Sequence, residues 1–293
     1  MPLVKREAWM AFELDRSAIP GSRRQSPPQN AQLLFGLPID GLRMGEAIER
    51  CRLAIQTRRP LLIGVLNAAK VVNLRHDPHL RDALLDCNML LADGQSVVWA
   101  SRLLHKPLPE RVAGIDLFEA LLDLAHREGR SVYLLGARPE VLAALEQNVH
   151  QRWAGLKIAG SHDGYFSDAQ ASDIAADIRI SGADMLFLGM ASPKKEIFLR
   201  RFQHELEVPV LHGVGGSFDI LAGLTQRAPL AWRRLGMEWA YRLVQEPRRM
   251  WKRYLVTNIG FVALTLREVF SPSPRLEPTS RSRVQTIKKI EQS

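Results

Sequence analysis

The sequence predicts an α/β fold: a mostly parallel, twisted sheet with helices on both faces, followed by a helical, basic C-terminal appendage. Three observations predict it. Short apolar runs alternate with stretches of helical periodicity from about residue 33 onward. The runs end in glycine or polar residues, as strands do where they hand over to helices. Near residue 225 this pattern stops, and Arg, Trp and Tyr become dense.

Taken in order, residues 1–30 end in Pro20-Gly21-Ser22-Arg23-Arg24-Gln25-Ser26-Pro27-Pro28-Gln29-Asn30, a composition expected of a disordered leader. Strands are expected at 61–66, 89–92, 131–135, 157–160, 184–190 and 208–214. Helices are expected between them, at 78–86, 116–128, 139–151, 168–181 and 193–204. Strands alternating with helices of this length read as βα units, so residues 31–226 form a Rossmann-like domain. Residues 227–270 form the helical appendage, and 271–293 a disordered basic tail.

Composition bounds the function. Of the 293 residues 46% are hydrophobic and 24% charged, which fits a globular chain. Cys51 and Cys87 have no metal or redox spacing, which suggests a reducing compartment. Charges interrupt the N-terminus every few residues, so it holds no signal-peptide core. The longest weakly polar run, residues 254–266, covers 13 residues. A membrane span needs roughly 20. The net charge is +9, and residues 227–293 carry all of it, with 14 basic residues against 5 acidic. Such asymmetry points to a partner bearing phosphates: an anionic membrane or a nucleic acid.

The strand ends carry the candidate chemistry. Ligands of open parallel sheets bind outside the carboxyl ends of the strands. There Asp93 stands in Ala92-Asp93-Gly94. Two roles fit it locally: a general base, or the N-cap of the next helix. The other strand ends give Asn67, Gly136, Gly189, Lys195, and Gly215-Gly216-Ser217 with Asp219. With Gly94 they form a set of loops shaped for a nucleotide, because glycines let phosphate oxygens approach backbone N–H groups. Locally, Lys194-Lys195 also reads as a solvated helix start, and Asp219 as a residue bonding its own turn. The chain lacks a Gly-x-Gly-x-x-Gly fingerprint, a P-loop and any Asp-x-Asp. Its eight histidines show no ligand spacing, so neither metal nor cofactor is expected.

These loops, in this order, resemble one family. Leu66-Asn67-Ala68, Ala92-Asp93-Gly94, the run from Pro109 to Asp116, Leu134-Leu135-Gly136, Gly164-Tyr165-Phe166, Ser192-Pro193-Lys194-Lys195-Glu196, the run from Gly213 to Asp219 and Arg227-Ala228-Pro229 look like the WecG/TagA/CpsF glycosyltransferases. The likeness covers about residues 33–255. It implies transfer of a sugar, with inversion and without metal, from a UDP-sugar to a polyprenyl-diphosphate-linked saccharide in bacterial surface polysaccharide synthesis. It also implies a peripheral protein on the cytoplasmic face of the inner membrane.

By position, the family's base falls on Asp93, and its C-terminal arginine cluster on Arg242, Arg249 and Lys252, the acceptor or diphosphate contacts. The third of these has lost the bidentate fork of arginine. Val65 stands where the family commonly has Thr, and Lys195 where it has Gln. These changes widen the donor sugar to N-acetylmannosamine, glucose or a uronic acid. The appendage holds Trp232, Trp239 and Trp251 beside its basic residues, as an anionic membrane partner would require. A homo-oligomer is compatible with all this. The rival reading, a basic nucleic-acid-binding protein, finds no matching motif, so no nucleic-acid partner is expected.

Overall fold

The computed structural model describes residues 30–278, apart from Pro193 and Leu235; of Arg234, Arg242, Arg249, Met250 and Arg253 only the backbone is described. The expected leader, Asn30 aside, and residues 279–293 of the expected tail lie outside this range. Two strands, β1 (Ala31–Leu34) and β2 (Leu37–Asp40), pair as an antiparallel hairpin. The other six are β3 (Leu61–Leu66), β4 (Met89–Ala92), β5 (Ser131–Gly136), β6 (Lys157–His162), β7 (Met185–Gly189) and β8 (Val210–Gly213). They form one sheet in the order β4-β3-β8-β7-β5-β6. Every neighbouring pair in it is parallel.

Residue chemistry sets the helix limits. In α1 (Met44–Thr57), the first-turn Glu46 accepts a bond from the Arg43 N–H at 2.6 Å. Asn67 caps α2 (Ala68–Asn73) by accepting from the Lys70 N–H at 3.1 Å. Asp77 does the same for α3 (Pro78–Leu85), whose first residue is proline. Then come α4 (Gln95–Leu103), α5 (Gly114–Glu128), α6 (Pro139–Arg152), α7 (Asp168–Ser181), α8 (Lys194–Phe202) and α9 (Ser217–Leu221). The appendage is α10 (Leu230–Arg234), α11 (Glu238–Gln245) and α12 (Pro247–Phe270).

Alternation along the strands divides the core. On β5, Val132 and Leu134 face α1, α5 and α6, while Tyr133 and Leu135 face α7 and α8. The sheet is therefore apolar on both faces and covered on both, as an all-parallel sheet requires. A third cluster packs the hairpin, α2, α3 and α4 with Phe261 of α12. The hairpin also protects the β4 edge, where the Leu90 N–H donates to the buried Asp40 carboxylate at 2.8 Å. Residues 271–278, expected as the start of a tail, run back over the hairpin, and the Leu276 N–H donates to the Gly36 carbonyl at 2.8 Å.

Candidate active site

A cavity of about 1160 Å³ opens at the carboxyl ends of β3, β4, β7 and β8. Its lining includes Asn67, Asp93, Gly94, Gly189, Lys195, Gly215, Gly216, Ser217 and Asp219. The structure thus gathers nearly every strand-end residue expected from the sequence. Gly136 stands one strand away. An added Cβ there would lie 2.6 Å from the backbone of Gly189, so its lack of a side chain lets β5 and β7 close up beside the cavity.

Asp93 is half-buried, and its N–H donates to the Leu66 carbonyl at 2.9 Å. It does not cap the next helix: the N-cap of α4 is Gly94. Asp93 Oδ1 instead accepts from the N–H of Gly114, the first residue of α5, at 2.9 Å. Among the described residues Oδ2 takes no protein hydrogen bond. Its position at the start of a helix suits an anion. Asp219 likewise borders the cavity. Its backbone carbonyl closes the local turn by accepting from Leu224 and Thr225, and its carboxylate takes no hydrogen bond among the described residues. Ser217 Oγ donates to the Val214 carbonyl at 2.8 Å and holds that loop.

The two adjacent lysines part ways. Lys194 Nζ donates to the Gly164 carbonyl at 2.6 Å and lies 4.2 Å from the centre of the Phe166 ring, away from the cavity. Lys195 is only 6% exposed. Its Nζ donates to Ser192 Oγ at 2.6 Å and pairs with Glu196 Oε1 at 2.8 Å. Lys70 reaches the same oxygen at 3.4 Å and the Val65 carbonyl at 2.9 Å. Gly213 leaves room for Lys195, since a Cβ there would meet its stem at 2.9 Å. Burial, then the Lys70 ammonium, pull Lys195 down to about 8 despite Glu196. Burial alone would raise Glu196; the two ammoniums and its hydrogen bonds outweigh it and hold the carboxyl at about 2. Two lysines sharing one ionised carboxylate form one wall beside Asp93.

The appendage also lines the cavity, and ion pairs join it to the α/β core. Arg111 pairs with Glu238 of α11 at 2.9 Å, and Arg227 with Asp116 of α5 at 2.6 Å. Arg233 approaches Asp116 at 3.8 Å. The lining also takes in Trp99 and Leu103 from α4, Trp239 from α11, and Tyr254, Phe261, Val262 and Leu266 from α12, with Thr257, Asn258 and Thr265 of the same helix between them. The rings of Trp239 and Tyr254 pack 5.9 Å apart. Lys252 is exposed and is not among the lining residues. Arg242 and Arg249 have backbones on α11 and α12, and their side chains lie outside the described set.

Sequence reasoning assigned no role to Lys70, Glu196, Arg111, Arg227, Glu238 or His212. Lys70 follows Asn67 by one helical turn, and Glu196 directly follows Lys195; those spacings were the available signal. Arg111 and Arg227 lie 116 positions apart, and only folding brings both to one cavity. A family model described as the glycosyl transferase WecG/TagA/CpsF family matches residues 32–275, from the hairpin through α12 and across every wall of this cavity, and the chain belongs to that family.

Proposed function

We propose that this glycosyltransferase moves a hexosyl group from a UDP-sugar to a polyprenyl-diphosphate-linked saccharide in bacterial surface polysaccharide synthesis, inverting the anomeric centre. One observation carries the reading. A single cavity joins a carboxylate oxygen that takes no hydrogen bond among the described residues to a lining that includes the apolar side chains of Trp99, Leu103, Trp239, Phe261, Val262 and Leu266. A polar reacting head on an apolar chain matches both.

In this mechanism the acceptor hydroxyl attacks the anomeric carbon. Asp93 takes the hydroxyl proton, the new C–O bond forms, and the bond to UDP breaks with its electron pair on the diphosphate. One displacement needs one base and inverts the centre. A positioned base is worth about 10²–10⁴-fold. Asn67, Gly94, Gly189, Lys195, Gly215, Gly216, Ser217 and Asp219 bind the donor, with Gly136 letting β5 and β7 close up beside them. Lys and Arg side chains and backbone N–H groups stabilise charge on the leaving diphosphate. Arg242, Arg249 and Lys252 take the acceptor diphosphate.

No helix among the described residues is long and apolar enough to cross a membrane. The exposed apolar side of α12 beside the cavity favours peripheral attachment, on the cytoplasmic face of the inner membrane in this reading.

A panel of UDP-N-acetylmannosamine, UDP-glucose and UDP-glucuronic acid, each tested with a farnesyl-diphosphate-linked monosaccharide, tests the proposal. One donor should release UDP and give a β-linked product from an α-linked donor. A retained anomeric configuration, or turnover only with a non-nucleotide donor, would overturn it. Activity should persist in excess EDTA, because the chain has no Asp-x-Asp and the described residues hold no group of three His, Cys, Asp or Glu placed for a metal. Activity lost in EDTA and restored by Mg²⁺ on this soluble acceptor would count against it.

A further inference from the structure

We propose that His212 is a positioning residue for Asp93, acting through Gly114. This rests on Asp93 being the base. His212 lies on β8 with its ring wholly buried, edge-on to Phe187 at 6.4 Å. It is not among the residues lining the cavity, so it does not touch substrate. Its Nε2 is 3.2 Å from the carbonyl oxygen of Gly114. A carbonyl only accepts, so Nε2 carries the proton and donates. Gly114 uses its other side to hold the base: its N–H donates to Asp93 Oδ1 at 2.9 Å. That N–H begins α5, where backbone donors have no partner within the helix.

Two further observations point the same way. His212 Nδ1 is buried and has no hydrogen-bond partner among the described residues. An apolar side chain would fill the space without leaving that nitrogen unsatisfied. What the imidazole supplies in return is the Nε2 proton. Burial, the largest influence, holds the ring down to about 4, although the Gly114 carbonyl and Asp93 oppose it; Lys70 and Lys195 push the same way as burial. The ring is therefore neutral near pH 7 and keeps one proton, the one Gly114 receives. Clamped from both sides, Gly114 fixes Asp93 Oδ1 and leaves Oδ2 for the acceptor hydroxyl. Misplacing a reacting group by about 1 Å can cost roughly 100-fold.

The test uses His212→Phe, which keeps the packing on Phe187 and loses the N–H, and His212→Gln, which restores a donor near the Nε2 position. Turnover is read as UDP release from whichever of the three UDP-sugars reacts, with the farnesyl-diphosphate-linked acceptor. His212→Phe should lower kcat about 10- to 100-fold with the donor KM unchanged, and His212→Gln should recover most of the loss. In an Asp93→Asn background His212→Phe should cost little more, because both changes act on one group. An equal fold-loss in both backgrounds would remove the positioning role and leave the base assignment standing. A fully active Asp93→Asn would remove the base and, with it, the role of His212.

Should His212→Phe fail to fold, His212→Asn replaces it, because its shorter amide does not reach the Gly114 carbonyl. Equal kcat for the Asn and Gln variants would then overturn the proposal. A substrate-free readout is the Gly114 amide proton in NMR. It should move in the Phe or Asn variant and stay in place in the Gln variant; an unmoved signal in all of them also overturns the proposal.

Discussion

At the scale of single residues, Asp93 is the sharpest test. Asp93→Asn keeps an oxygen to accept from Gly114 and removes the proposed proton acceptor. It should fold, bind UDP as the parent does, and turn over about 10²–10⁴-fold more slowly. Near-normal turnover in the folded variant would leave Asp93 as a residue that fixes the start of α5. Asp93 was legible in the sequence because a carboxylate at a strand's end beside glycine is a local pattern. Its bond to Gly114, across 21 positions, was not. His212 also carries a stability prediction. Its folded pKa, about 4, lies below the ordinary 6.5. The unfolded chain therefore binds the extra proton first as pH falls. The stability this site supplies is full above about pH 6.5 and is lost progressively down to about pH 4, on the order of 3 kcal/mol in all. His212→Gln has no such titration. Its melting temperature should fall less than that of the parent between pH 7 and pH 4.5, and parallel curves would show that His212 does not titrate in that window.

At the scale of elements, the expected strands at 61–66 and 89–92 match β3 and β4, and the other four end within a few residues of β5 to β8. They were readable because a strand buried on both faces is a continuous apolar run. The hairpin was missed. Ala31–Leu34 and Leu37–Asp40 are four residues each, and their turn, Phe35-Gly36, uses none of the Asn-Gly or Asp-Gly signals. Their order comes from tertiary partners: the Phe35 ring packs, tilted, against Phe261 at 5.5 Å, and the Phe35 N–H donates to Glu268 at 3.2 Å. Helix α12 is thus both a cavity wall and the hairpin's support. It lies close against α2 at Gly260, where a Cβ would meet Val72 at 3.2 Å. Gly260→Leu should overpack this contact, lower stability by about 1–3 kcal/mol and open α12 to limited proteolysis. Turnover should fall with it, since Tyr254, Val262 and Leu266 would leave the cavity. An unchanged denaturation midpoint would mean that α2 and α12 are loosely joined.

At the scale of the whole molecule, charge and apolar surface meet on α12. The excess charge of +9 begins at residue 227, and the same helix exposes Trp251, Leu255, Ile259, Val262 and Leu266, three or four residues apart. That spacing puts them on one stripe. The other side of the helix is occupied, with Thr257, Phe261, Thr265 and Glu268 buried. The sequence showed the basic, aromatic character of this region but not which apolar residues face outward, because that division depends on α2 and the hairpin taking one side. Two forces should then attach the protein to an anionic bilayer. Each Lys or Arg near the surface contributes about 1 kcal/mol, and each large apolar side chain that enters it about 1.5–3 kcal/mol. Salt separates them, because the Debye length shrinks from about 10 Å at 0.1 M to about 3 Å at 1 M. Co-sedimentation with phosphatidylglycerol vesicles should weaken at 1 M salt without vanishing. The double variant Leu255→Glu/Ile259→Glu should lose the salt-resistant part. The farnesyl-linked acceptor should still turn over in that variant, because neither side chain lines the cavity, while turnover of a long-chain acceptor held in vesicles should drop. Complete release of the parent by salt would make the attachment electrostatic alone, and equal losses on both acceptors would place the stripe in the reaction and not at the membrane.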